Sequence, residues 1–253
     1  MIRLVDYMGS DAAVVQAARV SYGEGTKTVH EDRGLINYLM RHHHMTPFEM
    51  VEFKFHAKMP IFVARQWVRH RTASINEISA RYSEMKDDFF PLELRAQAKS
   101  GNKQGTSELL VDGVEELSSK VTEHEQQSFE LYKELLSRGV GREIARSVLP
   151  VNLMTEWYWK VDLRNLFGFI LLRSDSHAQK EIRTYSDAML ELIRPIVPTC
   201  VEAFEEYMQF AVTFSRSEMV ILRGILATYT DDELTAHLNA SKGEKNEFLA
   251  KCR

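Results

Sequence analysis

The sequence has very little cysteine. Cys200 and Cys252 are its two cysteines, and no Cys-x-x-Cys pair occurs in its 253 residues. This usage argues against a disulfide framework and a zinc–thiolate site, and it predicts a location in the reducing cytoplasm. Cys200 follows Pro198 and Thr199, and no histidine or arginine adjoins it to lower the pKa of its thiol. A buried structural cysteine is therefore favoured over a nucleophile at this position.

The sequence also lacks long apolar runs and an excess of positive charge. No run approaches the ~20 residues needed to span a bilayer, and the first residues do not resemble a signal peptide. The formal net charge of -4 argues against a general nucleic-acid binder, which shows a broad basic face. With 44% hydrophobic and 27% charged residues, the composition is that of an ordinary globular protein. Neither a membrane nor a nucleic acid is a predicted partner.

Positive charge is nevertheless concentrated in one stretch. Arg65, Arg69, Arg71 and Arg81 lie close together there, with Glu77 as the one acid between them. Grouped guanidinium groups repel one another unless an anion lies between them, and the planar fork of arginine suits phosphate and carbonyl-bearing rings. The stretch therefore predicts an anion-binding site.

Alternation within that stretch predicts an extended segment. Glu77, Ser79 and Arg81 are two residues apart, so in a strand they point to one surface, backed by the apolar residues between them. By itself this spacing favours an amphipathic edge strand after a surface turn. The neighbouring arginines favour a bound anion.

Three consecutive histidines raise the question of a metal site. His42, His43 and His44 cannot all face one ion from a regular element, and no carboxylate–histidine spacing supports them, so no metal is predicted. The segment from Thr46 to Glu49 fits a capping box, with threonine at the cap and glutamate at the third helical position.

Apolar periodicity predicts an α+β fold, with antiparallel strands near the N-terminal half and a predominantly helical second half. One domain over residues 1–253 is predicted, with 218–253 as a helical appendage or oligomer contact. Strands are predicted at residues 1–8 and 51–58, and helices at 11–20, 31–43, 61–69, 114–138, 141–161 with a break at Pro150, 162–173, 176–194 and 198–214.

Several local features accompany these elements. The polar segment 95–113 is predicted to be a surface loop, either a lid or an inert insertion. Ser176 and Gln179 form a capping pair, the segment 230–233 a helix start, and 241–246 a turn. Most rings of the aromatic run Trp157-Tyr158-Trp159 are predicted to be core residues, with stacking on a flavin or pterin as the alternative. Arg173 ends an apolar helix, where it either reaches the surface or is paired in a cleft.

A set of polar residues carries a resemblance to a known family. Its centre is Arg-His-Arg, seven residues, then Ser, and the pattern continues upstream and downstream, over roughly residues 3 to 215. The matching residues are Thr46-Pro-Phe-Glu49, Gln66, Arg69-His-Arg71, Asn76, Glu77, Ser79, Arg81 and Arg173-Ser-Asp-Ser-His177. The chain resembles the flavin-dependent thymidylate synthases.

The resemblance implies an activity and its cofactors. It implies conversion of dUMP to dTMP, with methylenetetrahydrofolate as the one-carbon donor, FAD reduced by NADPH as the hydride source and no cysteine nucleophile. It also implies a cytoplasmic homotetramer whose sites are shared between subunits.

The resemblance also implies roles for individual residues. Arg173 is the implied catalytic residue, activating the uracil ring at N3, because a guanidinium group stays charged throughout. The residues implied to bind dUMP are Gln66, Arg69, Glu77, Ser79, Arg81, Arg146 and Arg173. The residues implied to surround the flavin are His44, Thr46, Glu49, Arg69, His70, Arg71, Asn76, Glu77, Asp162, Arg164 and His177.

Two positions depart from the family pattern. Asp162 stands where an asparagine is usual, and Gly168 stands where a side-chain amide is common. Two other functions also suit the arginine-rich stretch. One is a nucleotide- or RNA-binding module without a cofactor, and the other is a flavoprotein reductase that acts on other substrates.

Overall fold

The computed structural model describes residues 1–20, 29–99, 103–238 and 240–253. They form two compact units, Met1–Gln209 and Phe210–Arg253. The first unit mixes antiparallel strands and helices, so the predicted α+β class is confirmed. The description as one domain with an appendage stays a prediction. No helix among the described residues combines the length and apolar character needed to cross a membrane.

The described residues of the first unit form two antiparallel sheets. The larger has the strand order β1-β2-β6-β3, and β4 pairs with β5 in a separate hairpin. The strands are β1 Ile2–Met8, β2 Glu52–Pro60, β3 Ser74–Glu77, β4 Arg95–Gln97, β5 Thr106–Leu110 and β6 Met154–Asp162. The register of the central pair runs from Glu52 opposite Asp162 to Pro60 opposite Met154.

Helices cover one face of the larger sheet and form the second unit. Those of the first unit are α1 Asp11–Val20, α2 Val29–Arg41, α3 Ile61–Trp67, α4 Val114–Ser137, α5 Arg142–Ala145, α6 Leu163–Arg173, α7 Lys180–Ile193 and α8 Pro198–Phe204. Those of the second unit are α9 Arg216–Leu226, α10 Asp231–Thr235 and α11 Lys242–Cys252. Short 3-10 turns occur at Thr46–Met50 and Arg146–Val148, and a π-helical turn at Glu205–Gln209.

The main core lies between the sheet and the helices that cover it. Alternate residues of β2 and β6, among them Phe55 and Trp159, are fully buried, as expected when one face of a sheet is covered. Trp67 of α3 packs edge-on against both Trp157 and Trp159, with ring centroids 5.3 Å apart in each pair. Trp157 and Trp159 are buried and Tyr158 is exposed, so the prediction that most of this aromatic run is core is confirmed.

The prediction of a helix over 141–161 is wrong. Its first part is α5 and a 3-10 turn, and its last part is β6, the strand between β2 and β3. Thr155, Trp157 and Trp159 are buried while Tyr158 and Lys160 are exposed, which is the period-two pattern of a strand. Tertiary pairing with β2 outweighs the helical tendency of the preceding residues.

Two polar segments also differ from expectation. The segment 95–113, predicted to be a loop, contains the β4–β5 hairpin, whose strand pairing supplies partners for backbone groups. The extended segment predicted from Glu77 to Arg81 ends at Glu77, where β3 ends. A turn follows, in which the Tyr82 backbone N–H donates to the Ser79 carbonyl at 3.0 Å.

Two predicted capping arrangements are absent among the described residues. Thr46 lies inside the 3-10 turn rather than at its cap, which is Met45, and no side chain bonds to the free N–H groups there. Gln179 is the cap residue of α7, but no side-chain hydrogen bond caps the helix there. The predicted capping pair of Ser176 and Gln179 is therefore wrong too. In both places the helical turn begins at a different residue from the one that the sequence pattern suggests.

The described residues of the second unit form three capped helices. Ser215, Thr230 and Ser241 each form a capping box with the glutamate three residues on. The predicted helix start at Thr230 is confirmed. The turn predicted over 241–246 is wrong, because Ser241 begins α11 instead.

Candidate functional site

Arg173 and His70 meet where α6 ends and the loop after α3 begins. The Arg173 Nε–H donates to His70 Nε2 at 3.0 Å, and Arg173 Nη2 donates to the backbone carbonyl of Gln66 at 3.3 Å. Both acceptors are neutral. Of the two settings predicted for Arg173, this partly buried, hydrogen-bonded position is nearer to the paired one than to an arginine that reaches the surface.

Local packing explains how these two side chains come together. Leu166, Phe169 and Ile170 are buried on one stripe of α6, and Arg173 lies one turn further along the same face. Trp67, fully buried, anchors the end of α3, and the His70 backbone N–H donates to its carbonyl at 3.0 Å. The His70 ring then packs edge-on against Phe169, with centroids 4.9 Å apart.

Burial and like charge shape the electrostatics of this pair. Burial lowers the pKa of Arg173 from its usual value, and the charge of Arg69 lowers it further. Burial, with a smaller effect of the Arg173 charge, lowers the pKa of His70 to about 4. Near neutral pH the pair is therefore a guanidinium cation against a neutral imidazole. No carboxylate in the described ranges forms an ion pair with Arg173.

Gln66 joins the site to a second helix. Its side-chain amide donates to the Gln179 side-chain oxygen at 2.5 Å, and Gln179 is the residue at which α7 begins. The α3, α6 and α7 helices thus converge on Arg173. Sequence reasoning considered Gln179 only as a capping residue and missed its contact with Gln66, because nothing in the pattern indicated that residues 113 positions apart would pair.

The Glu77 side chain lies at the edge of the sheet. One carboxylate oxygen accepts from the Thr155 hydroxyl at 2.5 Å, and Trp157 is its cross-strand neighbour. In the turn that follows, the Ser79 hydroxyl oxygen accepts from the Arg81 backbone N–H at 3.3 Å. No side-chain hydrogen bond joins Ser79 to a base within the described part of the chain, so the geometry offers no activation of its hydroxyl.

A second basic cluster lies at α5. Arg81 pairs with Glu143 at 3.2 Å, and Arg146 Nε donates to the Glu143 backbone carbonyl at 3.3 Å. The Arg81–Glu143 pair is more than half exposed on both sides, so it contributes about 1 kcal/mol or less. An incoming phosphate can compete with it for Arg81.

Several residues expected near a flavin have structural partners. Arg164 pairs with Glu49, and His177 Nδ1 lies 2.9 Å from an Asp175 carboxylate oxygen. Asp162 caps α6, since one of its oxygens accepts from the Asn165 backbone N–H at 2.9 Å and the other from the Asn165 amide at 2.7 Å.

The other expected flavin neighbours are open to solvent. His44 is exposed and lies 5.8 Å from the Tyr38 ring, centroid to centroid. Arg69, Arg71 and Asn76 are exposed. These side chains are available to a ligand.

A cavity of about 230 Å³ lies beside His70. Its wall combines an imidazole, a guanidinium, a hydroxyl and an amide with apolar side chains, a mixture that suits a planar heterocycle. The lining residues are His70, Arg71, Thr72, Trp159, Val161, Asn165, Gly168 and Leu172. A Cβ placed on Gly168 would meet no described atom within 4 Å, so space is open there.

Cys200 is part of the main hydrophobic core. Cys200 is fully buried, and burial together with Asp11 raises the pKa of its thiol well above the usual value. The prediction of a buried structural cysteine is confirmed. The described ranges contain no group of three or more His, Cys, Asp and Glu side chains placed to hold a metal ion.

An α+β fold in which a partly buried arginine is held by neutral acceptors is the arrangement expected of an enzyme that acts on an anionic, ring-bearing ligand. Comparison with known proteins names the family. The family model described as thymidylate synthase complementing protein (Thy1) matches residues 3–199. The chain belongs to the flavin-dependent thymidylate synthase family, and the predicted resemblance is confirmed.

Individual relatives agree with this assignment. The chain is 53% identical over 251 residues to a flavin-dependent thymidylate synthase of Thermus thermophilus, covering 99% of this chain and 92% of the relative. It is 51% identical to that of Gluconobacter oxydans over 255 residues, covering 98% and 84%. Among solved structures it is similar to the UMP/dUMP methylase PolB from Streptomyces cacaoi bound with 5-Br dUMP. That structure has a TM-score of 0.76 and 36% identity, and the match covers 83% of this chain and 96% of that one.

Proposed function

We propose that the protein is a thymidylate synthase that converts dUMP to dTMP, with methylenetetrahydrofolate as the one-carbon donor and FAD reduced by NADPH as the hydride source. The observation that carries this proposal is Arg173, a guanidinium held by two neutral acceptors with no paired carboxylate among the described residues. Its charge is therefore available to a ligand.

Arg173 acts on the uracil ring by electrostatics. A fixed positive charge beside N3 and its neighbouring carbonyls stabilises negative charge on the ring, which raises electron density at C5. C5 can then form a bond to the methylene carbon while the bond from that carbon to a folate nitrogen breaks and its electron pair stays on the nitrogen, and the C5 proton is lost. This route needs no thiol addition at C6, in agreement with the burial of Cys200.

The remaining dUMP contacts divide by chemistry. Arg69, Arg81 and Arg146 suit the phosphate, because guanidinium groups bind phosphate through paired hydrogen bonds. Gln66, Glu77 and Ser79 offer neutral and acidic groups for the ring and sugar. The proposal includes a homotetramer whose sites combine residues from different subunits, as the resemblance to the family implies.

FAD, when bound, supplies the hydride that completes the methyl group, and NADPH restores its reduced form. The residues proposed to hold it are His44, Thr46, Glu49, Arg69, His70, Arg71, Asn76, Glu77, Asp162, Arg164 and His177. Asp162 would act by fixing Asn165, which lines the cavity. Gly168 leaves room where a relative with an amide side chain would make a contact.

One assay tests the proposal. Purified protein is incubated with dUMP tritiated at C5, methylenetetrahydrofolate and NADPH, and release of tritium to water is measured. We expect release that depends on all three substrates, together with visible absorbance of bound flavin at about 450 nm. Flavin with NADPH oxidation but no dependence on dUMP would indicate a reductase of other substrates. Nucleotide binding without flavin or tritium release would indicate a binding module.

A further inference from the structure

We propose that His70 is the positioning residue of Arg173: a neutral imidazole that fixes the guanidinium group in place without adding a negative charge beside it. The proposal rests on the proposed function where it assigns Arg173 to the uracil ring. The contact itself is independent of that assignment. His70 has already been considered as a flavin contact. The positioning of Arg173 would be a second role, which acts on the binding of the nucleotide.

The geometry holds the guanidinium group at two points. Nε donates to His70 Nε2 at 3.0 Å and Nη2 donates to the Gln66 carbonyl at 3.3 Å. The edge-on packing on Phe169 fixes the plane of the imidazole. Two acceptors at different nitrogens set the plane of the guanidinium, so the remaining N–H groups keep fixed directions for a ligand.

Other arginines in this chain show what a purely structural role looks like. Arg95 donates to carboxylate oxygens of both Glu93 and Glu181, each at 2.6 Å. Arg194 is likewise held by two carboxylates, from Glu191 and Glu205. In both, the acids neutralise the charge. Arg173 has equally definite hydrogen bonds, yet its acceptors carry no charge.

The same hydrogen bond selects the tautomer of His70. Because Nε2 accepts from Arg173, the proton of the neutral ring lies on Nδ1. His70 also lines the cavity proposed for the flavin. Any ligand group that bonds to Nδ1 must then be an acceptor, such as a carbonyl or phosphate oxygen. One ring therefore ties the orientation of Arg173 to the flavin side of the site.

Protonation of His70 would destroy this arrangement. The charged groups around it are Arg173 from α6, which lowers its pKa, and its chain neighbours Arg69 and Arg71. None of the described carboxylates is hydrogen-bonded to it. A protonated ring would lose its acceptor and face a guanidinium of the same sign. The setting keeps the imidazole neutral over the physiological range.

Titration of His70 by NMR tests the contact without any turnover. The His70 ring resonance is assigned by its loss in His70→Gln, and its shift is followed against pH in the wild type and in Arg173→Gln. We expect a midpoint near 4 in the wild type, and a higher midpoint once the positive charge and the donor are removed. A wild-type midpoint near 6.5, the usual value, that Arg173→Gln leaves unchanged would overturn the proposal.

Kinetics of two variants test the positioning role. Glutamine can present its side-chain oxygen near the place of Nε2, whereas leucine fills similar space without an acceptor. With bound flavin quantified in each sample, we expect His70→Gln to stay within about 10-fold of the wild-type kcat and His70→Leu to lose about 100-fold. KM for dUMP should change less than kcat in both.

Two outcomes distinguish the positioning role from a role of His70 as a flavin ligand alone and from failure of the proposed function. Equal loss in both variants, in proportion to lost flavin, would show that His70 is a flavin ligand alone and would overturn the positioning role. A wild-type protein that releases no tritium would refute the proposed function, while the NMR titration would still decide whether His70 holds Arg173.

Discussion

Asp11, the first residue of α1, caps the N-terminus of α8. Its carboxylate accepts from the Thr199 backbone N–H at 2.9 Å and from the Cys200 backbone N–H at 3.0 Å. The contact satisfies donors that a helix start leaves free, and a negative charge suits that end of the helix dipole. It also places a carboxylate beside the Cys200 thiol and helps to raise its pKa.

Removing this cap should destabilise the protein without touching the site. We expect Asp11→Ala to lower the free energy of unfolding by about 1–2 kcal/mol, since the two N–H groups lose their acceptor in a partly buried place. Asp11→Asn, which keeps one acceptor oxygen, should cost less. Urea unfolding measures both. Equal stability of the alanine variant and the wild type would contradict the capping role.

Cys200 should be dispensable for turnover. We expect Cys200→Ser to retain tritium release within about twofold, because the thiol is buried and its raised pKa keeps it protonated. The polar hydroxyl in an apolar place should cost about 1–2 kcal/mol of stability. Loss of activity in a variant that remains folded would rule out the cysteine-free mechanism.

Arg173 should be indispensable. We expect Arg173→Ala to lower kcat by about 10²–10³-fold or more, because the charge that stabilises the uracil ring is lost. Arg173→Lys keeps a positive charge but lacks the Nε donor to His70, so its activity should fall between the alanine variant and the wild type. Single-turnover kinetics on flavin-loaded samples measure the difference. An alanine variant with near-normal kcat would exclude Arg173 from the chemistry.

Stability should fall in mild acid because of His70. Its pKa is about 4 in the folded protein against a usual 6.5, so between these values the unfolded chain binds more protons. The free energy of unfolding is therefore unaffected above pH 6.5 and decreases as the pH falls towards 4. Since the ring is only half-buried, we expect a loss of about 1–2 kcal/mol. His70→Gln should remove this part of the pH dependence. If the free energy of unfolding of His70→Gln changed with pH between about 6.5 and 5 as steeply as that of the wild type, the contribution of His70 would be contradicted.

Gly168 should tolerate a methyl group. It lies inside α6, and a Cβ there meets no described atom within 4 Å. We expect Gly168→Ala to raise the free energy of unfolding by about 0.5–1 kcal/mol, because alanine loses less entropy in a helix. Gly34→Ala in α2, also with open space around it, is the matched control away from the cavity. If only the Gly168 variant weakens flavin binding, the cavity position of this residue is supported. Destabilisation of both would contradict the helix argument.

Strongly periodic segments were predictable from the sequence. The helix at 11–20 and the strand near 51–58 lie within two residues of α1 and β2, because each has one buried face with a clear period. The left-handed Gly139 after α4, with φ 84°, is where the sequence places a helix end. These signals are local, so a single chain carries them.

The errors have non-local causes. β6 looks helical in isolation, and pairing with β2 on one side and β3 on the other makes it a strand. The contact between Arg173 and His70 joins residues 103 positions apart, and the bond between Gln66 and Gln179 joins residues 113 apart. Composition and spacing marked the individual residues. Their partners depend on how three helices converge.

The order of strands in the larger sheet has a consequence for biosynthesis. β2 is complete at Pro60, whereas its partner strand β6 is synthesised about a hundred residues later and ends at Asp162. The arginine-rich stretch leads into β3, and β3 pairs with β6 alone. A nascent chain released from the ribosome before β6 is synthesised would expose the edge of β2. It would also lack the strand with which β3, at the end of the arginine-rich stretch, has to pair. Closing such long loops is slow, so chaperone dependence and aggregation of truncated chains should concentrate in the interval before β6 emerges.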